Sequence, residues 1–373
     1  MRILRQNGFA AVVVGGCVRD ACMGIPPHDF DMATDATPDE ILRCFADHRV
    51  LQTGIAHGTA TILLDQMPVE LTTFRIDGDY ADHRHPTQVT FTDKLEQDLA
   101  RRDLTINAMA YDGARVIDPF GGQTDLARQS IRCVGDADRR FDEDGLRILR
   151  AMRFAAVLSF SVESRTAEAM HRHRELLRRI SAERIWAEFG KLLRGENASV
   201  VLAEFSDVLG IFLPQYDENG LRQLARAPAD PTVRLALLLQ NTDAAAALRM
   251  LRADNRTIRA VTLLLSAERK PLRRMLSAYP PETVDAYWDF TFAHGEIDEA
   301  ERDALRAQTN AVLREKPCLR VHDLAVNGTD LQAEGFRGAQ IGQTLTALLN
   351  AVLNDELPNE KDALLLRARS AKE

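Results

Sequence analysis

At 373 residues the chain is longer than one compact core usually holds, so two or more domains are expected. Apolar residues make up 45%, and no run of them reaches the length of a membrane-spanning helix. A net charge of −8 disfavours a uniformly basic nucleic-acid binder. However, residues 139–194 hold twelve Arg and one Lys against eight Asp or Glu, a local basic stretch suited to phosphate.

The first elements carry most of the chemistry. An apolar run over 11–14 reads as a strand and leads into the turn Gly15-Gly16. Glycines let main-chain N–H groups approach a phosphate, and Arg19, three residues on, adds a planar, permanently charged donor. Asp29 and Asp31 follow, flanking Phe30. On a strand their side chains share a face, which makes a hard-oxygen site for Mg²⁺. Two such ions activate an attacking hydroxyl and stabilise departing pyrophosphate, so the pattern points to nucleotidyl transfer.

A helix is expected to start near Thr37, with Pro38 at its first position and Glu40 in its first turn. Strands are expected over 59–64, 69–74 and 89–91. Residues 75–90 are polar and contain Gly and Pro, and read as a mobile loop between strands. In the segment 98–108, Arg102 is placed to bind triphosphate and Asp103 to accept from a ribose hydroxyl. Residues 1–120 together read as α/β.

After about residue 125 the spacing turns helical, with helices expected over 143–160, 164–179, 182–194 and 199–209. On the first of these, Asp144 and Arg147 are i, i+3 neighbours, and Arg150 and Arg153 extend the stripe. Side by side, an Asp and an Arg offer one acceptor and one donor. That matches the amino group and ring nitrogen of cytosine or adenine and rejects uracil and guanine. The chain stays helical beyond Pro231, broken at 318–331. There His322-Asp323 is a lone pair without the further ligands of a phosphohydrolase, and a structural role is expected.

The five cysteines, Cys17, Cys22, Cys44, Cys133 and Cys318, are odd in number and scattered, against a disulfide framework. Cys17, Cys22 and His28 fit no common zinc spacing; the thiols read as small and buried. Residues 1–20 lack a signal-peptide layout because the Gly-Gly turn and Asp20 interrupt the apolar stretch. The expectation is a cytoplasmic protein.

Five segments, taken together, resemble the class II tRNA nucleotidyltransferases, the CCA-adding enzymes, which share ancestry with bacterial poly(A) polymerases. They are 15–31, 70–75, 101–103, 143–147 and 182–191. The resemblance implies an α/β nucleotidyltransferase head with a mixed, polymerase-β-like sheet over 1–125. An all-α neck (126–195), body (196–265) and tRNA-binding tail (266–373) would follow it. It implies Mg²⁺ as cofactor, CTP and ATP as substrates and the tRNA 3′ end as primer. Asp29 and Asp31 match the metal ligands, with Glu70 as a third catalytic carboxylate. Gly16, Arg19 and Arg102 match triphosphate contacts. Asp144 and Arg147 match a protein template, with Arg150 and Arg153 at nucleotide-site positions. Gly145 stands where relatives often carry Pro or Ala.

A poly(A) polymerase is the first alternative, but the sequence 54–59 is of the CCA-adding type and no basic insertion follows the first carboxylates. An A-adding enzyme stays open, whereas the intact length of 75–90 disfavours a CC-adding one. A non-catalytic RNA-binding protein would not need Asp29, Asp31, Asp144 and Arg147 together.

Overall fold

The computed structural model describes residues 1–27, 29–55, 58–64, 67–78 and 89–371. It divides into two compact units. One comprises residues 1–215 with 250–252, the other residues 216–249 with 253–373.

The first unit begins with helix α1 (Arg2–Gln6), strand β1 (Ala11–Val14), helix α2 (Gly16–Cys22) and strand β2 (Asp31–Thr34). Helix α3 (Pro38–Cys44) starts where its sequence signals. Thr37 and Glu40 form a reciprocal capping box, and Pro38 fills the first position, where no N–H is needed. Strands β3 (Arg49–Leu51), β4 (Thr59–Leu64) and β5 (Met67–Thr73) follow, then β6 (Arg75–Asp77) and β7 (Val89–Phe91). Helix α4 (Leu95–Ala100), β8 (Ala110–Tyr111), β9 (Val116–Ile117) and helix α5 (Gly122–Ala127) complete the sheet region.

Among the described residues, seven strands form one mixed sheet in the order β3-β4-β5-β2-β1-β8-β9, with β2 and β5 paired in parallel. Strand alternation builds a core on each face. Ala11, Ile62 and Leu71 pack with Ile41 and Phe45 of the α3 region on one side. Val12 and Val14 pack with Phe74 and Leu99 on the other. Fully burying a Leu, Ile or Val side chain stabilises by about 1.5–3 kcal/mol, so this two-sided burial holds β1 and β2 rigidly in the middle of the sheet.

The segment 75–90 is not a loop throughout, because β6 and β7 pair antiparallel at its ends. Its centre, 79–88, lies outside the described residues, as do His28 and His57.

Beyond the sheet come β10 (Ser130–Ile131), α6 (Ala137–Glu143), α7 (Leu146–Leu158), β11 (Ser161–Val162), α8 (Ser164–His173) and α9 (Ala182–Leu192). α10 (Ala198–Glu204) and α11 (Ser206–Phe212) close the unit. The expected helix over 143–160 is broken. Asp144 is extended (φ −147°, ψ 106°), and α7 starts afresh after Gly145. The break sits at Asp144, and its local chemistry and the close packing around Gly145 accompany it. The Asp144 carboxylate accepts the Leu146 N–H at 3.0 Å, and a Cβ on Gly145 would sit 2.9 Å from Leu176 Cβ. The helix expected over 164–179 also tightens, to a 3₁₀ turn over Arg174–Arg179. The parallel pair β10–β11 was not foreseen, since two-residue strands carry no readable alternation.

The second unit is helical. Helices Pro231–Leu239, Asn255–Leu265, Pro281–His294 and Glu299–Arg314 surround a core that includes Trp288, whose Nε1 donates to Thr309 Oγ1 at 3.1 Å. A separate apolar cluster joins Leu324, Val326, Leu331 and Phe336 to the helix Ala339–Leu353. Asp323 has the structural role expected of it: its Oδ2 accepts the N–H groups of Leu319 and Arg320.

Candidate active site

The turn after β1 brings backbone and charge together. Gly15 takes φ +80°, and its N–H donates to the Met109 carbonyl at 3.2 Å. A Cβ there would stand 3.1 Å from Arg102 Nη1 and 3.9 Å from Asp31 Oδ2, so glycine is needed for both conformation and approach. Arg19 on α2 is oriented from three sides. Nε and Nη2 donate to Asp20 Oδ1 at 2.9 and 2.7 Å, Nη1 donates to Asn107 Oδ1 at 2.8 Å, and the guanidinium lies 4.9 Å from the Phe154 ring centroid.

Asp31 opens β2 and pairs in parallel register with Glu70 of β5, so these two carboxylates share a sheet face. Asp29 lies in the bend before β2, and strand alternation therefore does not by itself align it with Asp31. Both aspartates nevertheless line one cavity, and Glu70 is not part of its wall. Burial pushes the Asp31 carboxyl above the usual range, and the negative charges of Glu70 and Asp29 push it further, against the opposing charge of Arg102. Among the described residues no three His, Cys, Asp or Glu side chains converge to hold an ion, so Glu70 is not drawn into a three-carboxylate cluster. Asp29 and Asp31 themselves suit Mg²⁺. They are hard oxygen donors, and the unfavourable charge on Asp31 is what a cation would relieve.

The expected Asp144–Arg147 pair is not formed. Asp144 Oδ2 accepts from Arg184 Nη2 at 2.7 Å, while its Oδ1 caps α7. Arg147 instead reaches back to α6. Its Nη1 donates to Glu143 Oε2 at 2.6 Å and to the Arg140 carbonyl at 3.2 Å, and Nη2 donates to the Arg101 carbonyl at 3.0 Å. The break at Gly145 rotates the two residues off the common helix face that i, i+3 spacing assumes.

Arg102 and Asp103 follow α4. Burial pushes the Arg102 guanidinium down, and the buried Asp98 opposes this from 3.5 Å. Asp103 is buried, which by itself would raise its pKa, but Arg150 and Arg147 outweigh burial and hold the carboxyl at about 2. Its Oδ2 accepts from Arg150 Nε at 2.6 Å and its Oδ1 from the Leu104 N–H at 2.8 Å. Arg153 lies 4.0 Å from the Phe154 ring centroid and 3.1 Å from Glu188.

These groups line a single cavity of about 510 Å³. It collects Gly16, Arg19, Asp29, Asp31, Arg102, Asp103, Asp144, Arg147, Arg150 and Arg153 from four separated stretches of sequence. Sequence reasoning missed Asp98, Asn107, Phe154, Glu143, Arg184 and Glu188 as the groups that hold them. Arg184 and Glu188 carried a readable signal, being four residues apart on one face of α9. The cysteines are all free thiols, but only part of the expectation for them holds: Cys17 is buried and Cys22 is exposed.

The fold and this cavity define a nucleotidyltransferase, and comparison with known proteins agrees. Residues 11–132 match the family model of the poly A polymerase head domain. Residues 159–218 match a probable RNA and SrmB-binding site of polymerase A, and residues 232–368 a putative tRNA nucleotidyltransferase domain 2. A CCA-adding enzyme from Lactiplantibacillus plantarum is 37% identical, over 98% of this chain and 93% of the relative. One from Geobacillus thermodenitrificans is 38% identical, over 98% and 94%. The crystal structure of Bacillus stearothermophilus CCA-adding enzyme in complex with CTP superposes with a TM-score of 0.83 at 31% identity, covering 100% of this chain and 96% of that one. The chain belongs to the family of CCA-adding enzymes.

Proposed function

We propose that this protein adds C, C and A, without a nucleic-acid template, to the 3′ end of tRNA from CTP and ATP. The observation that carries this reading is the single cavity that brings Asp29 and Asp31 together with Arg19, Arg102, Asp144 and Arg147; we assign Arg19 and Arg102 to the triphosphate and Asp144 and Arg147 to the base. The CTP complex of the Bacillus stearothermophilus relative supports it.

Asp29 and Asp31 would hold Mg²⁺, which supplies activation of the primer hydroxyl and charge neutralisation at the leaving pyrophosphate. Arg19 and Arg102 bind the triphosphate. Arg19 is fixed for this by Asp20 and Asn107, so little freedom is lost on binding. Asp103 accepts from the ribose hydroxyl. Asp144 accepts from the exocyclic amino group of cytosine or adenine, and Arg147 donates to the adjacent ring nitrogen. Arg184 and Glu143 hold these two readers in place from outside. Uracil and guanine would set a carbonyl oxygen against the Asp144 carboxylate, acceptor against acceptor, and be rejected. We read residues 1–125 as the catalytic head and 266–373 as the tRNA-binding tail.

Three tRNA primers test the proposal: one lacking the terminal CCA, one ending after its two cytidines, and one complete. Each is incubated with CTP, with ATP and with both. The first is expected to gain two cytidines with CTP alone and the full CCA with both nucleotides. The second should gain one adenosine, and the third nothing. Adenosine addition only, starting from the second primer, would identify an A-adding enzyme. Continued adenosine addition to the third would identify a poly(A) polymerase.

A further inference from the structure

We infer that Glu188 is a positioning residue that sets the preference for ribonucleotides over deoxyribonucleotides, acting through Arg150 on Asp103. This rests on the proposed reading of Asp103 as the acceptor of the ribose hydroxyl.

Glu188 sits on α9, is 7% exposed, and is not among the residues that line the cavity. It therefore stands behind the cavity wall rather than in it. It faces two arginines of α7 that do line the cavity: Oε2 is 3.1 Å from Arg153 Nε, and Oε1 is 3.9 Å from Arg150 Nη1. Arg150 and Arg153 are three residues apart on one helix, so both guanidiniums project from the same face. Asp103, to which Arg150 Nε already donates at 2.6 Å, is the further anion that acts on both arginines; Asp144 acts on Arg150 as well but already accepts from Arg184.

The count of acceptors gives Glu188 its role. A carboxylate offers about four lone-pair sites. Asp103 commits Oδ1 to the Leu104 N–H and, at 3.5 Å, to Asn107 Nδ2, and it commits one site of Oδ2 to Arg150. One site on Oδ2 remains for a sugar hydroxyl. While Glu188 is ionised it engages Arg153 and the outer nitrogen of Arg150, so each cation has its own anion. Remove that charge, and two neighbouring half-buried cations compete for Asp103. Arg153 then takes the last acceptor site, and the ribose hydroxyl loses its partner.

The test compares kcat and KM for CTP and 2′-deoxy-CTP on a tRNA primer lacking CCA, in the wild type, Asp103→Asn, Glu188→Gln and the double variant Arg153→Gln/Glu188→Gln. Thermal melts check folding. Wild type should prefer CTP by about tenfold or more, the size of one hydrogen bond to a charged group. Glu188→Gln should raise KM for CTP by about tenfold with a smaller change in kcat and little change for the deoxynucleotide, which abolishes the preference. Removing the competitor in the double variant should restore the preference even if overall turnover falls. A purely structural Glu188 would give a different result: both nucleotides would lose equally and the double variant would restore nothing, which overturns the inference. If Asp103→Asn keeps the full preference, the ribose reading of Asp103 fails and this inference fails with it. If Asp103→Asn loses it while Glu188→Gln keeps it, only the role of Glu188 is refuted. Should Glu188→Gln fail to fold, Glu188→Asp retains the charge one methylene further away. It should then show an intermediate preference, and an unchanged one would count against the inference.

Discussion

Two parts of one cavity handle charge in opposite ways. At the start of β2, Asp29 and Asp31 stand near Glu70 and each other; burial pushes the Asp31 carboxyl up, and the charges of Glu70 and Asp29 push it further. Around α7 the pairing is dense: Asp144 with Arg184, Arg147 with Glu143, Asp103 with Arg150, and Arg153 with Glu188. The first arrangement is electrostatically strained and suits a site completed by a cation. The second is already neutralised and rigid, which suits a site that must reject wrong bases by leaving them mispaired. Chemistry and selection thus use the same residue types under different charge balances.

The contrast breaks most sharply at Asp31. Asp31→Asn should abolish nucleotide addition, a loss of several kcal/mol of transition-state stabilisation and so on the order of a thousand-fold or more. The same change should leave the thermal midpoint unchanged or slightly raised. A carboxyl whose folded pKa is raised destabilises the fold above that pKa, and the amide removes this penalty. Rates at saturating Mg²⁺, alongside a melt at pH 7, check both halves. Turnover close to wild type would remove Asp31 from the chemistry.

The paired region should respond with a loss of choice. Asp144→Ala or Arg147→Ala should reduce use of the correct nucleotide by about ten- to a hundred-fold, as expected for a charged hydrogen bond worth roughly 1.5–3 kcal/mol. Misincorporation of UTP relative to CTP should rise with Asp144→Ala. Single-turnover assays with all four nucleotides decide the matter. Equal slowing on every nucleotide would reduce the two residues to structural salt bridges.

Asp103 sharpens the comparison through stability. Its carboxyl is held at about 2 against an ordinary 3.8. Because the folded pKa is depressed, the stabilisation is complete above about pH 4 and is lost as pH falls toward 2. The shift corresponds to about 2 kcal/mol. Urea unfolding of wild type and Asp103→Asn should therefore differ by roughly that amount at pH 5, and the gap should narrow as the pH is lowered through 4 to 3. A gap independent of pH would mean that Asp103 acts by packing rather than by charge.

Local rules made much of the head legible from sequence. The Val-rich run of β1, the Thr37–Pro38–Glu40 helix start and the strand Thr59–Leu64 all rest on neighbours within a few residues. The motif residues were legible as a set for the same reason, since each motif is a short segment with its own spacing. Some of the cavity's ion pairs are local, Arg147 with Glu143 and Arg102 with Asp98 each four residues apart, but the tertiary structure decided the long-range ones. Apolar spacing runs through 143–160 without interruption and does not mark the break at Asp144, which turns extended and caps the next helix; Leu176, from another segment, packs so close that a Cβ on Gly145 would not fit. Arg184 reaches Asp144 across 40 residues and Arg150 reaches Asp103 across 47. Helix periodicity reports only on residues about one turn apart. The long-range pairs form between elements brought together by the burial of their apolar faces, and that burial has no local spacing to read.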